Sequence, residues 1–182
     1  MVNLQECILA GTLPARIEVV ISSRAAALGV ERAKSLGLRV TVVEHAALLP
    51  TEFDHAVDEV VGEVDLVCMA GFLSLWRIPP RLEGRVINIH PALLPDFGGK
   101  GMYGRHVHEA VLVAGRIVSG CTVHFCDNEY DHGPIILQRE VPVLTDDTPD
   151  VLAARVFREE CIAYPEAIRT LVDGRVRWFK PK

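Results

Sequence analysis

Asn88 and His90 stand one residue apart at the end of an apolar run, Arg85–Val86–Ile87–Asn88–Ile89–His90, that stops on Pro91. In an extended strand, residues i and i+2 project from the same face, so the amide and the imidazole emerge side by side. An amide N–H can stabilise charge developing on a carbonyl oxygen, and an imidazole can carry a proton between two atoms. That pairing suits acyl transfer. The same two side chains would equally satisfy backbone groups at a buried strand end, as buried polar side chains commonly do. A second segment, Thr122–Val123–His124–Phe125–Cys126, runs into the acidic loop Asp127–Asn128–Glu129–Tyr130–Asp131 and leaves it through Gly133–Pro134 into Ile135. A loop carboxylate beside His90 would orient the ring and raise its pKa. Asp131 is the natural candidate, with Asp127 and Glu129 as competitors.

These side chains need a scaffold to bring them together. Apolar runs alternate with helical patterns along the chain, the signature of an α/β fold with a parallel sheet. The spacing predicts strands over residues 17–22, 39–43 and 65–70, ahead of the Asn88 strand. It predicts helices over 25–36, stopped by Gly37, and over 51–61, capped by Thr51. A helix is expected over 106–113. Two alternating strands, 120–126 and 135–143, should pair antiparallel across the acidic loop. One long helix, 149–172, and a short last strand, 175–179, complete the chain. In open α/β sheets, ligands sit beyond the carboxyl ends of the parallel strands. Asn88 and His90 lie at such an end, as does Gly71–Phe72–Leu73–Ser74.

With 182 residues, 49% hydrophobic and 24% charged, the chain suits one domain with an ordinary core. A net charge of −5 without a basic run gives nucleic acid no footing. No stretch approaches the ~20 apolar residues of a membrane span, and the first residues do not read as a signal peptide. The five cysteines are scattered without a CxxC pair, which fits reduced thiols in a cytoplasm. His90, His106, His108 and His124 offer nitrogen ligands, but i and i+2 diverge on a helix and no cysteine pair supports zinc. No metal is expected.

Asn-x-His-Pro-x-Leu-Leu-Pro, from Asn88 to Pro95, and Asp-x-Gly-Pro-Ile-Ile, from Asp131 to Ile136, together resemble the folate-dependent formyltransferases. Among these the chain is most similar to the enzymes that act on glycinamide ribonucleotide in purine synthesis, from about Asn3 to about Trp178. The resemblance implies a Rossmann-like, mostly parallel twisted sheet with helices on both faces and an antiparallel C-terminal strand pair. It implies Asn88, His90 and Asp131 as the catalytic set. The cosubstrate would be 10-formyltetrahydrofolate, its pterin against Leu73, Ser74, Leu75 and Trp76 and the loop Asp127, Asn128, Glu129 and Tyr130. Relatives often carry a basic residue where Ser74 stands. The ribonucleotide would meet Asn3, Glu160 and His106, with His108 also lining the cleft. The partners implied are these small molecules, with the protein a cytoplasmic monomer or homodimer.

One departure matters. The family begins with a strand and a Gly-rich phosphate loop that ends in Asn-Leu, and this chain opens at Met1–Val2–Asn3–Leu4. Roughly a dozen residues, a strand plus a short loop, are then expected to be missing from the single domain. A gap in the parallel sheet and a weakened phosphate site would follow. Rival readings are a formyltetrahydrofolate hydrolase, which transfers formyl to water with the same trio, and an inactive relative. The loop from Gly98 to Gly104 lacks the Gly-Lys-Ser/Thr of a nucleotide loop and reads as a mobile lid.

Overall fold

A computed structural model describes residues 1–178 as a mixed α/β architecture. The elements in order are helix α1 (Val2–Leu9), strand β1 (Val20–Ser22), α2 (Leu28–Ser35), β2 (Val40–Val42), α3 (Pro50–Val61), β3 (Val67–Met69) and β4 (Val86–His90). Helix α4 (Arg105–Val113), strands β5 (Val118–Phe125) and β6 (Ile135–Pro142) and the long helix α5 (Pro149–Val172) follow. Strands β1 and β2 form a parallel pair of their own. The other four make one sheet in the order β3-β4-β5-β6, parallel at β3–β4 and antiparallel thereafter. Parallel pairing therefore occupies half of the ladders, and the antiparallel half begins at β4, one strand before the expected C-terminal pair.

Strand β4 is clamped from both faces. Val86 belongs to an apolar cluster with Phe53, Val57 and Val61 of α3 and with Leu82 and Trp76. Its neighbour Ile87 belongs to another, with Val123, Phe125, Val111 and the α5 residues Leu152, Val156 and Ile168. Successive strand residues point to opposite faces, so the two clusters lie on opposite sides of the sheet. Fully burying one such side chain contributes about 1.5–3 kcal/mol. Asn88 and His90 thus project from a strand anchored on both faces. The Tyr164 hydroxyl of α5 shares its one hydrogen between the carbonyls of Met69 (2.7 Å) and Ile87 (3.2 Å), tying that helix to the end of β3 and the start of β4.

Several boundaries move for local reasons. Helix α2 starts at Leu28 rather than 25 because Ala25 N–H is held by the Glu44 carboxylate at 2.6 Å, in a turn closed by Ala27 N–H on the Arg24 carbonyl. Helix α3 starts at Pro50, whose fixed φ suits a first helical residue. Its cap is not Thr51. Glu52 instead reaches back to accept from Leu49 N–H at 2.9 Å. β1 begins at Val20 because its partner β2 offers only three residues to pair with. Helix α5 keeps its expected bounds, with the Thr148 hydroxyl accepting from Val151 N–H at 3.3 Å. Residues 175–178 form no strand; the chain is held by the Trp178 ring, edge-on to Phe125 at 5.4 Å, and Phe179 lies outside the described residues.

Thr122 sits opposite His90 in the β4–β5 register and is fully buried. Its hydroxyl donates to the Ala92 carbonyl (2.6 Å) and accepts from Leu94 N–H (3.0 Å) and from the Gln138 side chain (2.9 Å). Gln138 also donates to the Leu94 carbonyl at 2.9 Å. This knot holds the Pro-rich turn that follows His90. Thr122→Val keeps the shape and removes the hydroxyl, so a loss of about 1–3 kcal/mol is expected from the unpaired groups. Denaturant unfolding measures it, and an unchanged midpoint would count against the knot.

Candidate active site

Residues from three segments converge on His90. The ring is 3% exposed. Its Nε2 lies 2.8 Å from the Phe97 carbonyl, and its Nδ1 lies 3.5 Å from Asp131 Oδ2. A carbonyl only accepts, so Nε2 carries a proton and Nδ1 is the nitrogen free to exchange one. Phe97 and Asp131 are the two non-glycine residues with positive φ among the described residues, 57° and 53°. Such conformations cost of order 1–3 kcal/mol and gather where surrounding structure holds a functional group in place. Here each presents an oxygen to the same imidazole. Asp131 is further fixed by Gly99 N–H, which donates to Oδ2 at 2.9 Å. Gly133 secures the loop from behind, since a Cβ there would sit 2.0 Å from the Phe125 carbonyl oxygen.

Asn88 completes the group. Its side-chain nitrogen lies 3.2 Å from His124 Nε2 and donates to Asp131 Oδ1 at 3.4 Å. Burial pushes the His90 pKa down, and the pull of Asp131 and Phe97 does not offset it. Sequence reasoning expected the carboxylate to raise that pKa; desolvation of a ring this buried outweighs the attraction. Burial also pushes the Asp131 carboxyl up, but the His124 and His90 rings and the Gly99 N–H together bring it below the ordinary range. Near neutral pH the pair is therefore a charged carboxylate beside a neutral imidazole.

The three side chains open onto a cavity of about 1000 Å³. Leu73, Ser74, Leu75 and Trp76 line it, as do Asp127, Glu129 and Tyr130 of the acidic loop. Asn128 does not; its side-chain oxygen accepts from Ile78 N–H at 2.9 Å and tethers the loop to the neighbouring segment. Asn3 and Glu160 line it too, and the Asn3 side chain donates to the Cys161 carbonyl at 2.7 Å. His106 lies outside the cavity, exposed, edge-on to Tyr103 and 3.7 Å from Glu109. The wall position belongs to His108, which is buried and leaves Nδ1 without a partner. Residues 99–104 of the Gly-rich loop also line the wall.

Burial pushes the Glu160 carboxyl up to about 7, against the opposing pull of the Met1 amino group. The folded chain holds this proton more tightly than the unfolded chain. Stability therefore falls as pH rises from about 4.5 to about 7. Glu160→Gln removes the burden and is expected to stabilise the protein at pH 8 by roughly 1–3 kcal/mol, with little gain at pH 4. Thermal unfolding at the two pH values checks this; equal shifts at both would contradict it.

Residues 2–168 match the family model for formyl transferase. The chain belongs to the formyl transferase family. It is 39% identical to the chloroplastic phosphoribosylglycinamide formyltransferase of Vigna unguiculata over 98% of its own length and 59% of that protein. With the Haemophilus influenzae phosphoribosylglycinamide formyltransferase it shares 35% identity over 96% of this chain and 84% of the other. The trifunctional purine biosynthetic protein adenosine-3 of Gallus gallus is 41% identical, and the chain spans 16% of it. Among solved structures, glycinamide ribonucleotide transformylase 1 of Symbiobacterium toebii superposes with a TM-score of 0.88 at 43% identity, over 98% of this chain and 85% of that one.

In this formyl transferase family member, two parts of the site escaped sequence reasoning. The Phe97 carbonyl carries no side-chain signal, because any residue type has one. His124 was legible as a lone polar ring on an apolar strand, but its role depends on the β4–β5 register that sets it opposite Asn88. Of the two α4 histidines expected along the cleft only His108 lines it, because the buried face of α4 carries Val107, His108 and Val111 and leaves His106 exposed. Among the described residues no group of three or more His, Cys, Asp or Glu side chains is arranged to hold a metal ion. No helix among them is long and apolar enough to cross a membrane.

Proposed function

We propose that this protein transfers the formyl group of 10-formyltetrahydrofolate to the primary amine of glycinamide ribonucleotide, a step of purine biosynthesis. The observation that carries the reading is the convergence of Asn88, His90 and Asp131 on one cavity, in a chain whose relatives are named for that transfer. The amine lone pair attacks the formyl carbon, and the carbonyl pair moves onto oxygen. Asn88 N–H, leaving its long contact with Asp131, meets that oxyanion; losing such a donor costs about 10²–10³ in rate. The attacking nitrogen must then shed a proton. Neutral His90 takes it at Nδ1, the position facing Asp131, whose charge stabilises the imidazolium. The proton passes to the folate nitrogen as its bond to the formyl carbon breaks, leaving the formylated amide and tetrahydrofolate.

On this reading the pterin rests against residues 73–76 and the acidic loop, whose carboxylates suit its N–H donors. The ribonucleotide lies toward Asn3 and Glu160. The partners are these small molecules rather than nucleic acid or membrane; the free cysteines fit a reducing cytoplasm, and the protein acts as a monomer or homodimer. The test is folate absorbance during turnover of 10-formyltetrahydrofolate with and without glycinamide ribonucleotide. Amine-dependent turnover is expected. Equal turnover in both would assign hydrolysis instead, and no folate binding would overturn the proposal.

A further inference from the structure

His124 is 1% exposed, lies on β5 in register with Asn88, and takes no part in the proton path above. Its Nδ1 lies 2.8 Å from the Phe125 carbonyl, which can only accept, so Nδ1 carries a hydrogen. In the neutral ring Nε2 is then an acceptor. It faces the Asn88 side-chain nitrogen at 3.2 Å, and that nitrogen can only donate. Asp131 Oδ1 is farther from Nε2, at 3.7 Å, so the amide rather than the carboxylate serves this ring nitrogen.

The amide nitrogen has two hydrogens. One goes to His124 at 3.2 Å, and the other makes the longer, 3.4 Å contact with Asp131. Reversing the amide would set its oxygen against a ring lone pair and a carboxylate at once, two repulsions in a site screened from water. The first hydrogen is therefore a pivot and the second is the one that can be exchanged.

We infer that His124, as its Nδ1–H tautomer, is the positioning residue that locks the orientation of the Asn88 amide and so leaves one N–H aimed for the formyl oxygen. This rests on the transfer reading proposed above. The contacts explain why a ring outside the proton path is buried beside the reacting atoms: it decides which end of the Asn88 amide the substrate meets. His124→Phe keeps the ring volume and removes the acceptor. His124→Gln keeps an acceptor near the Nε2 position.

Steady-state kinetics of the two variants, with ¹⁵N NMR of the wild-type histidines and the Asn88 amide, test the inference. His124→Phe is expected to lose about 10–100-fold in kcat, by weakening one oriented donor. KM for both substrates should hold, and His124→Gln should recover most of the rate. A purely structural role would instead lower the folded fraction and move KM and kcat in both variants. Wild-type kcat retained in His124→Phe overturns the inference while leaving the transfer reading intact. Should the wild type transfer no formyl at all, the spectra decide alone. An Nδ1–H ring and an Asn88 amide that shifts in His124→Phe support the positioning role, whereas an Nε2–H or doubly protonated ring overturns it.

Discussion

Exchange of Asp131 for asparagine is expected to lower kcat for formyl transfer by about 10²–10⁴-fold, the range that a positioned proton-transfer system contributes. The carboxylate accepts from Gly99 N–H and from Asn88 and faces His90 Nδ1. An asparagine offers one oxygen where two are needed. Its NH₂ must point at one of those donors, so the variant loses the charge and gains a donor–donor contact. The charge matters most once His90 has taken a proton, because a buried imidazolium without a counter-charge is strongly disfavoured. Asp131 pulls the His90 pKa upward against burial, so its removal sends that pKa further down. NMR titration of His90 should show this fall beside the kinetic loss. A kcat within tenfold of wild type would remove Asp131 from the mechanism.

Replacing Asn88 with leucine is expected to reduce kcat by about 10²–10³-fold through loss of the oxyanion donor. KM should change little, because the amide acts on charge that develops only during attack. The substitution also leaves His124 Nε2 and Asp131 Oδ1 without their shared donor, which costs about 1–3 kcal/mol of stability. Unfolding of the same variant separates the two effects. A full loss of stability with unchanged kcat in the folded fraction would assign Asn88 a structural role only.

Much of this architecture was written in local patterns. The approximate bounds of α5 were readable, because Pro149 suits a helix start and the Asp173–Gly174 turn marks its end, local signals that need no distant partner. The pairing of β5 with β6 followed from alternation on either side of one acidic loop. By contrast, the starts of α2 and α3 depended on Glu44 and Glu52, whose reach to a backbone N–H leaves no trace in periodicity. The absence of a ladder over residues 175–178 depended on where Trp178 found a ring to pack against.

The site divides the same way. The types and spacing of Asn88 and His90 gave the face they share, because strand geometry makes that a property of the backbone alone. The family motifs singled out Asp131 from the other acids of its loop. Only the folded chain decided the protonation of His90, because burial and the Asp131 carboxylate pull in opposite directions and their balance depends on packing. Only the folded chain chose His108 over His106 for the cavity wall and set His124 against the Asn88 amide. Helix rotation and strand register belong to the packing of elements distant in sequence. A chain can therefore carry its chemistry in its residues and leave the aim of that chemistry to its fold.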